Sequence, residues 1–305
     1  MATMKKKSSI YLEWLGFSSL GLLTYLLPRS WGKKMGRFIG RLVYHLDAYH
    51  RQVALSNLNL AFKNQKTDQE KQKMARSCFE NFGEMIADFL KFPSLSPAKR
   101  QALIEVQGLE FFHQAQQQKK GLIIFSAHYG QWEVASFFLS QLGKLNVIAR
   151  PLDNPWLEKK LTQMRTSLGA KIIYKQAAAR PILRKLQAQE IVVLLIDQNV
   201  LEDMAVFVDF FGTLAATTPA ASVLALRSQT PLLPAFCLPL QNGRYLIEFK
   251  PPIYPEQYGG EREEQILQIT QQCTKIIESQ IKAAPEHWMW FHNRWKTRPP
   301  QEPKK

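Results

Sequence analysis

His128 and Glu133, in the run Gly121-Leu-Ile-Ile-Phe-Ser-Ala-His-Tyr-Gly-Gln-Trp-Glu133, bring an imidazole and a carboxylate within five residues, just past an apolar stretch. An imidazole aimed by a carboxylate can take the proton of a hydroxyl and so turn an alcohol into a nucleophile. On one continuous helix, residues five apart diverge by roughly 140°, so the pair meets only if His128 lies in a turn and Glu133 in the first turn of the next helix. The local sequence allows this. Residues 122–125 read as a short buried strand, Gly130 can break the chain direction, and residues 134–142 have amphipathic helical spacing. A carboxylate near a helix N-terminus tends to stay ionised, because free N–H groups and the macrodipole favour negative charge there. The same residues also suit a buried histidine bonded near a helix cap. Chemistry is favoured by their place at the end of a parallel-type strand, the edge where open α/β sheets hold ligands.

Other polar residues fall at comparable places. Arg150 follows a predicted strand at 145–149, where its planar fork could hold a phosphate or carboxylate, or form a structural salt bridge. Arg180 opens a predicted helix and is a second anion-binding candidate. Asp197 and Gln198 directly follow the apolar run Ile191-Val-Val-Leu-Leu-Ile196. Asp197 there could orient an acceptor, anchor Arg150 or cap the strand-to-loop turn. His287 and His292 lie in an aromatic-rich C-terminal run without a third ligand nearby, so no metal site is expected. The three cysteines are widely separated and form no paired spacing, which argues for small core residues in a reducing compartment. No nucleophile elbow, phosphate loop, dinucleotide fingerprint or zinc-protease motif is present. The expected chemistry is direct base-assisted transfer with no cofactor and no covalent enzyme intermediate.

Positioning these groups requires alternating strands and helices. Strands at 121–125, 145–149, 171–174 and 191–196 alternate with helices at 134–142, 155–168 and 181–188; a helix near 218–227, strands near 232–238 and 245–249, and a helix at 265–281 follow. This predicts an α/β fold with a mostly parallel central sheet flanked by helices. A soft boundary near residue 100, marked by Pro93 and Pro97, divides a helical arm from an α/β body over 101–305. Within the arm, residues 10–27 follow Lys5-Lys6-Lys7 and would extend roughly 27 Å as a helix, a marginal transmembrane length read as a retained membrane anchor over 1–27. Residues 28–100 form a basic helical arm, in which Arg29, Lys33, Lys34, Arg37, Arg41 and Arg51 alternate with Trp31, Phe38, Leu42 and Tyr44. That mixture suits an anionic leaflet, with the basic side in the cytoplasm. Forty basic against twenty-five acidic residues give a net charge of +15, so an anionic partner is expected. No nucleic-acid motif accompanies that charge.

The ordered set Ser126-Ala-His-Tyr-Gly-Gln-Trp-Glu133, Arg150-Pro151, Asp197-Gln198, Phe211-Gly212 and Pro285-Glu-His-Trp-Met-Trp-Phe-His-Asn-Arg-Trp-Lys-Thr-Arg298, with the N-terminal segment, resembles the bacterial lipid A biosynthesis acyltransferase family. The resemblance implies transfer of a fatty acyl group from acyl carrier protein to a hydroxyl of a phosphorylated glucosamine-based lipid precursor. The place would be the cytoplasmic face of the inner membrane of a Gram-negative-type bacterium. It implies His128 as general base, Glu133 as its orienting partner, and Arg150, Arg180, Asp197 and Gln198 as substrate-binding positions. Two other readings stay open: an acyltransferase acting on a glycerophospholipid or other glycolipid, and a non-catalytic membrane-surface binding protein.

Overall fold

The computed structural model describes residues 7–175 and 179–300. Four helices form the arm: α1 (Lys7–Leu26), α2 (Arg29–Leu46), α3 (Ala48–Phe62) and α4 (Asp68–Lys91). A short α5 (Pro97–Ala102) leads to β1 (Ile104–Gln107) and α6 (Leu109–Gln116). The body then alternates as expected: β2 (Leu122–Ser126), α7 (Trp132–Leu142), β3 (Leu145–Ala149), α8 (Pro155–Ser167), β4 (Ala170–Tyr174), α9 (Ala179–Gln187) and β5 (Ile191–Leu195). A hairpin of β6 (Val206–Phe210) and β7 (Thr213–Thr217), then α10 (Ala220–Ser228), β8 (Leu232–Pro239), β9 (Tyr245–Phe249) and α11 (Arg262–Ala283), complete it.

Seven strands form one sheet in the order β1-β9-β8-β2-β5-β3-β4. Five of them, β8 through β4, run parallel, and β9 pairs antiparallel to β8. That reversal is forced by chain length: a parallel crossover takes a dozen or more residues, and only five separate Pro239 from Tyr245. Period-two alternation then fills both faces. Ile123 and Phe125 of β2, with Val192 and Leu194 of β5, face the cluster containing Ile182, Leu224 and Ile277 of α9, α10 and α11. Leu122, Ile124, Ile191 and Val193 face Phe112, Val134 and Met164 of α6, α7 and α8. Side chains of the arm, including Leu58, Phe62, Cys78 and Phe79, belong to the first cluster. All three cysteines are buried and unpaired, and burial raises each thiol well above its ordinary pKa.

Helices α2 and α4 cross backbone to backbone. A Cβ at Gly40 would lie 2.1 Å from the Phe79 carbonyl oxygen, and one at Gly36 2.4 Å from that of Gly83. With the glycine stripe turned inward, Trp31, Phe38, Leu42 and Leu46 of α2 are left exposed. The basic residues of α2 depart from the sequence reading. Instead of pointing as a group toward an external anion, Arg29 pairs with Asp88 at 2.7 Å, Lys33 with Glu84 at 2.9 Å and Arg41 with Glu80 at 2.7 Å, while Arg37 bridges Glu80 and Glu84. Cations every four residues on α2 meet acids every four residues on α4, so the two ladders neutralise each other. Arg51 donates to the carbonyls of Tyr44 and His45. Lys34 is exposed and carries no ion pair among the described residues.

Residues 10–27, read from the sequence as a membrane anchor of marginal transmembrane length, lie in α1 up to its last residue, Leu26. Among the described residues no helix is long and apolar enough to cross a membrane. Glu13, Ser18, Ser19 and Thr24 interrupt the apolar run of α1. The helix nevertheless exposes Tyr11, Leu12, Leu15, Leu22, Leu23, Tyr25 and Leu26.

Candidate active site

Strands β2 and β5 pair in parallel with Ser126 opposite Leu195. His128 and Asp197 each lie two residues beyond that pair, and so emerge side by side at the carboxyl edge of the sheet. Asp197 is buried and collects three hydrogen bonds: its Oδ1 accepts from His128 Nδ1 at 2.8 Å, and its Oδ2 from the His128 backbone N–H at 2.9 Å and from Trp288 Nε1 at 2.8 Å. Burial alone would raise its pKa. The charge and hydrogen bonds of His128, with the Trp288 donor, outweigh burial and hold the carboxyl at about 2. An ionised Asp197 accepts only, so Nδ1 carries a proton, and in the neutral imidazole the lone pair is therefore on Nε2. Gln198 Nε2 stands 3.4 Å from that lone pair. The Trp132 indole lies edge-on to the imidazole with ring centroids 5.3 Å apart, and stacks in turn on Phe82 of α4.

The sequence reading sets Glu133 against the imidazole, whereas the structure puts Asp197 in that position. Glu133 lies in the first turn of α7, as expected, but its side chain is turned toward α8. Arg165 Nε donates to it at 2.9 Å, and a second Arg165 nitrogen completes the fork. Arg165 is therefore a site residue that sequence spacing missed, since it lies 32 positions from its partner. Trp288 was also missed, although an indole N–H in so dense an aromatic run needs a partner once buried.

Two cavities meet at His128 and Trp132. One, about 520 Å³, is bordered by Lys33, Lys34 and Arg37 of α2, by Asn81 and Phe82 of α4, and by His287 and Met289. The other, about 420 Å³, has Val147, Ile148, Leu161, Val193 and Leu195 on its walls, with Glu133 and Arg165 beside them and Arg150 and Lys175 at its rim. Of the other predicted residues, Arg150 is exposed and bonded to Asp153 at 3.0 Å, and Gln198 lines the second cavity beside His128. Arg180 is exposed on α9 and borders neither. Among the described residues no group of three or more His, Cys, Asp or Glu could hold a metal ion.

The backbone donors just past β2 are already used. His128 N–H bonds Asp197, Gly130 N–H bonds the His287 carbonyl and Gln131 N–H bonds the Cys237 carbonyl. Gly130 has φ of +62°, and a Cβ there would meet the Cys237 carbonyl oxygen at 2.1 Å, so the close approach of this loop to β8 requires glycine. No side chain caps the start of α7, which leaves the N–H groups of Trp132 and Glu133, four and five residues past His128, without a side-chain cap.

The C-terminal segment braces the site from behind. Asn57 of α3 donates to the carbonyls of Trp290 and His292 at 2.7 and 2.6 Å. His292 Nε2 accepts the Asn199 N–H at 2.9 Å, and Arg294, whose pKa burial pulls down to about 10, donates to the Ala216 carbonyl at 2.6 Å and to the Thr217 hydroxyl. Burial pushes His292 down to about 4 and lowers His287 as well. A histidine with a depressed folded pKa gives stability that is complete above its unfolded value and is lost as pH falls through the folded one. His292 is thus expected to cost the fold about 3 kcal/mol between about pH 6.5 and pH 4. His292→Gln, whose carboxamide oxygen can still take the Asn199 N–H, should show a smaller drop in denaturation midpoint across that window. Parallel midpoint curves for the two proteins would contradict this.

The family model described as bacterial lipid A biosynthesis acyltransferase matches residues 2–297. A lipid A biosynthesis acyltransferase of Haemophilus influenzae is 27% identical over 93% of this chain and 87% of its own length. The lipid A biosynthesis lauroyltransferase of Escherichia coli is 27% identical over 95% of this chain and 92% of its own, and the myristoyltransferase of that organism 23% over 95% and 88%. The likeness runs through the arm, the sheet carrying His128 and Asp197, and the aromatic segment that bonds to them, and an acyltransferase is what an oriented imidazole between two cavities suits. The chain belongs to the bacterial lipid A biosynthesis acyltransferase family.

Proposed function

We propose that this enzyme transfers a fatty acyl group from an acyl carrier protein thioester to a hydroxyl of a phosphorylated, glucosamine-based lipid A precursor, with His128 as general base. The observation that carries the reading is the imidazole itself, pinned through Nδ1 and facing outward through Nε2 where a polar cavity meets an apolar-walled one. The acceptor enters from the side of α2, where Lys34 is the bordering cation that no acid neutralises among the described residues; the acyl chain lies along Val147, Leu161 and Val193. His128 Nε2 takes the hydroxyl proton as the oxygen attacks the thioester carbonyl. The resulting oxyanion is met by the Gln198 carboxamide and the N-terminus of α7. Collapse breaks the carbon–sulfur bond, and the departing thiolate recovers the proton from the imidazolium. Asp197 aims the ring, and Glu133, held by Arg165, fixes the cleft wall where α7 meets α8. Arg150 at the cleft rim receives the phosphate of the carrier arm, and Arg180 adds positive field farther out.

The place of work is the cytoplasmic face of the inner membrane. A row of exposed leucines and aromatics on α1 and α2 is an apolar surface of the kind that lies in a lipid interface, anchoring the enzyme without a span. The test is to offer the purified chain acyl carrier protein thioesters of graded length and a phosphorylated glucosamine disaccharide precursor, and to read products by mass. One acyl group gained by the acceptor is expected. Binding to vesicles with no thioester consumed would remove catalysis, and preferential acylation of a glycerophospholipid or another glycolipid would remove this acceptor.

A further inference from the structure

Helix α1 is docked on the body. Asn154, which is buried and caps α8 by accepting the backbone N–H groups of Trp156 and Leu157, also donates to the Ile10 carbonyl at 2.8 Å and to the Glu13 carboxylate at 3.2 Å. This joint brings Tyr11 and Trp14 of α1 against Trp156 of α8, with ring centroids 5.6 to 6.0 Å apart. The three rings, with Lys159, Lys160 and Gln163, border a hollow of about 380 Å³. Both lysines are exposed and form no ion pair among the described residues, in contrast to the four paired cations of α2. Tyr11 and Trp156 are each about half exposed. The hollow is bordered by the helix that also exposes Leu12, Leu15, Leu22, Leu23 and Leu26, and it serves none of the chemistry assigned to His128.

Resting on the membrane-surface reading of α1 and α2, we infer that this hollow is a docking site for the anionic headgroup of a bilayer phospholipid, which sets the catalytic body on the leaflet through α8. Indole and phenol rings place an apolar body in the acyl boundary and a polar edge at the headgroups. Two unpaired ammonium groups beside them supply the complement to a phosphodiester. The nearby acids form no ion pair with these lysines: Glu158 is turned to the Leu152 N–H, Tyr174 and Thr162, and Asp153 is bound to Arg150. The consequence is an orientation. Leu152 and Asp153, immediately before the Asn154 joint, border the apolar-walled cavity, so its mouth is held beside the lipid surface.

The test measures cosedimentation of the full-length enzyme with phosphatidylcholine vesicles, with and without phosphatidylglycerol. Lys159→Gln/Lys160→Gln is expected to bind the anionic vesicles about thirtyfold less tightly, at about 1 kcal/mol per lysine, and neutral vesicles unchanged. Trp156→Ala should weaken binding to both. Turnover on detergent-dispersed substrates should be unchanged. Lys120→Gln/Lys144→Gln, which removes the same charge just before β2 and β3 at the opposite edge of the sheet, should bind like wild type. Wild-type binding by the α8 variant, or an equal loss in the control, would overturn the assignment while leaving the membrane reading in place. A raised KM for the acyl carrier protein donor with unaltered vesicle binding would also overturn it, giving the surface to the carrier. A wild-type enzyme that ignores vesicles altogether would take down the membrane reading as well.

Discussion

His128→Ala is expected to lower turnover by roughly 10²–10⁴-fold, the usual contribution of a positioned general base, while the fold survives. Survival follows from the geometry of Asp197. Its Oδ2 keeps the residue-128 backbone N–H and the Trp288 indole when the imidazole is gone, so the buried carboxylate retains two of its three donors. Asp197→Asn should be nearly as damaging for a different reason. A carboxamide can present N–H to Nδ1, which would leave the proton on Nε2 and turn the lone pair away from the substrate. The variant should fold and bind substrates yet turn over roughly 10²-fold or more slowly. Both are read as kcat and KM with circular dichroism as the folding control. Wild-type kcat in folded His128→Ala would remove the imidazole from the mechanism; wild-type kcat in Asp197→Asn would remove the tautomer argument alone.

The ion pair of Glu133 and Arg165 carries the second large effect, this time on stability. Both side chains are mostly buried, at 9% and 15% relative exposure. Arg165→Met strips the cation and leaves a carboxylate in a poorly solvated wall, at an expected cost of about 3–5 kcal/mol in denaturant unfolding. Glu133→Gln/Arg165→Met removes both charges and should recover most of that loss, because a neutral amide beside a thioether is far cheaper to bury than a lone carboxylate. Equal midpoints for the single and double variants would show that the pair does not act as a unit. The stable double variant also tests what the ion pair as a whole contributes to turnover. Its kcat should fall far less than that of Asp197→Asn, since the pair is neutral as a whole and its hydrogen bonds join its two members to each other and not to the imidazole.

Much of the architecture follows from short-range pattern. The apolar runs at 122–125 and 191–196 are strands because β-branched and aliphatic residues there suit a sheet covered on both faces, and Gly130 turns the chain because a Cβ would strike β8. The helix carrying Glu133 and the loop carrying His128 follow from the same local chemistry. Less visible was the β6–β7 hairpin, whose tight turn at Phe211 and Gly212 puts both residues at positive φ, a conformation that a phenylalanine does not advertise. The sequence reading of a mostly parallel sheet also does not say where strand direction reverses; it does so between β8 and β9.

Sequence by itself determined which residues stand at strand ends with chemistry to offer, because periodicity and turn residues act over a few positions. Tertiary structure decided which of them touch. His128 and Asp197 are 69 residues apart and become partners only because β2 selects β5 as its neighbour in that register, a choice made by burying both strands under helices on each face. Glu133, five residues from His128, is carried away toward Arg165 by the direction in which α7 packs on α8. The arm obeys the same rule: its cations look available in the chain, and the close glycine crossing of α2 on α4 pairs most of them with acids and turns the apolar side chains outward instead.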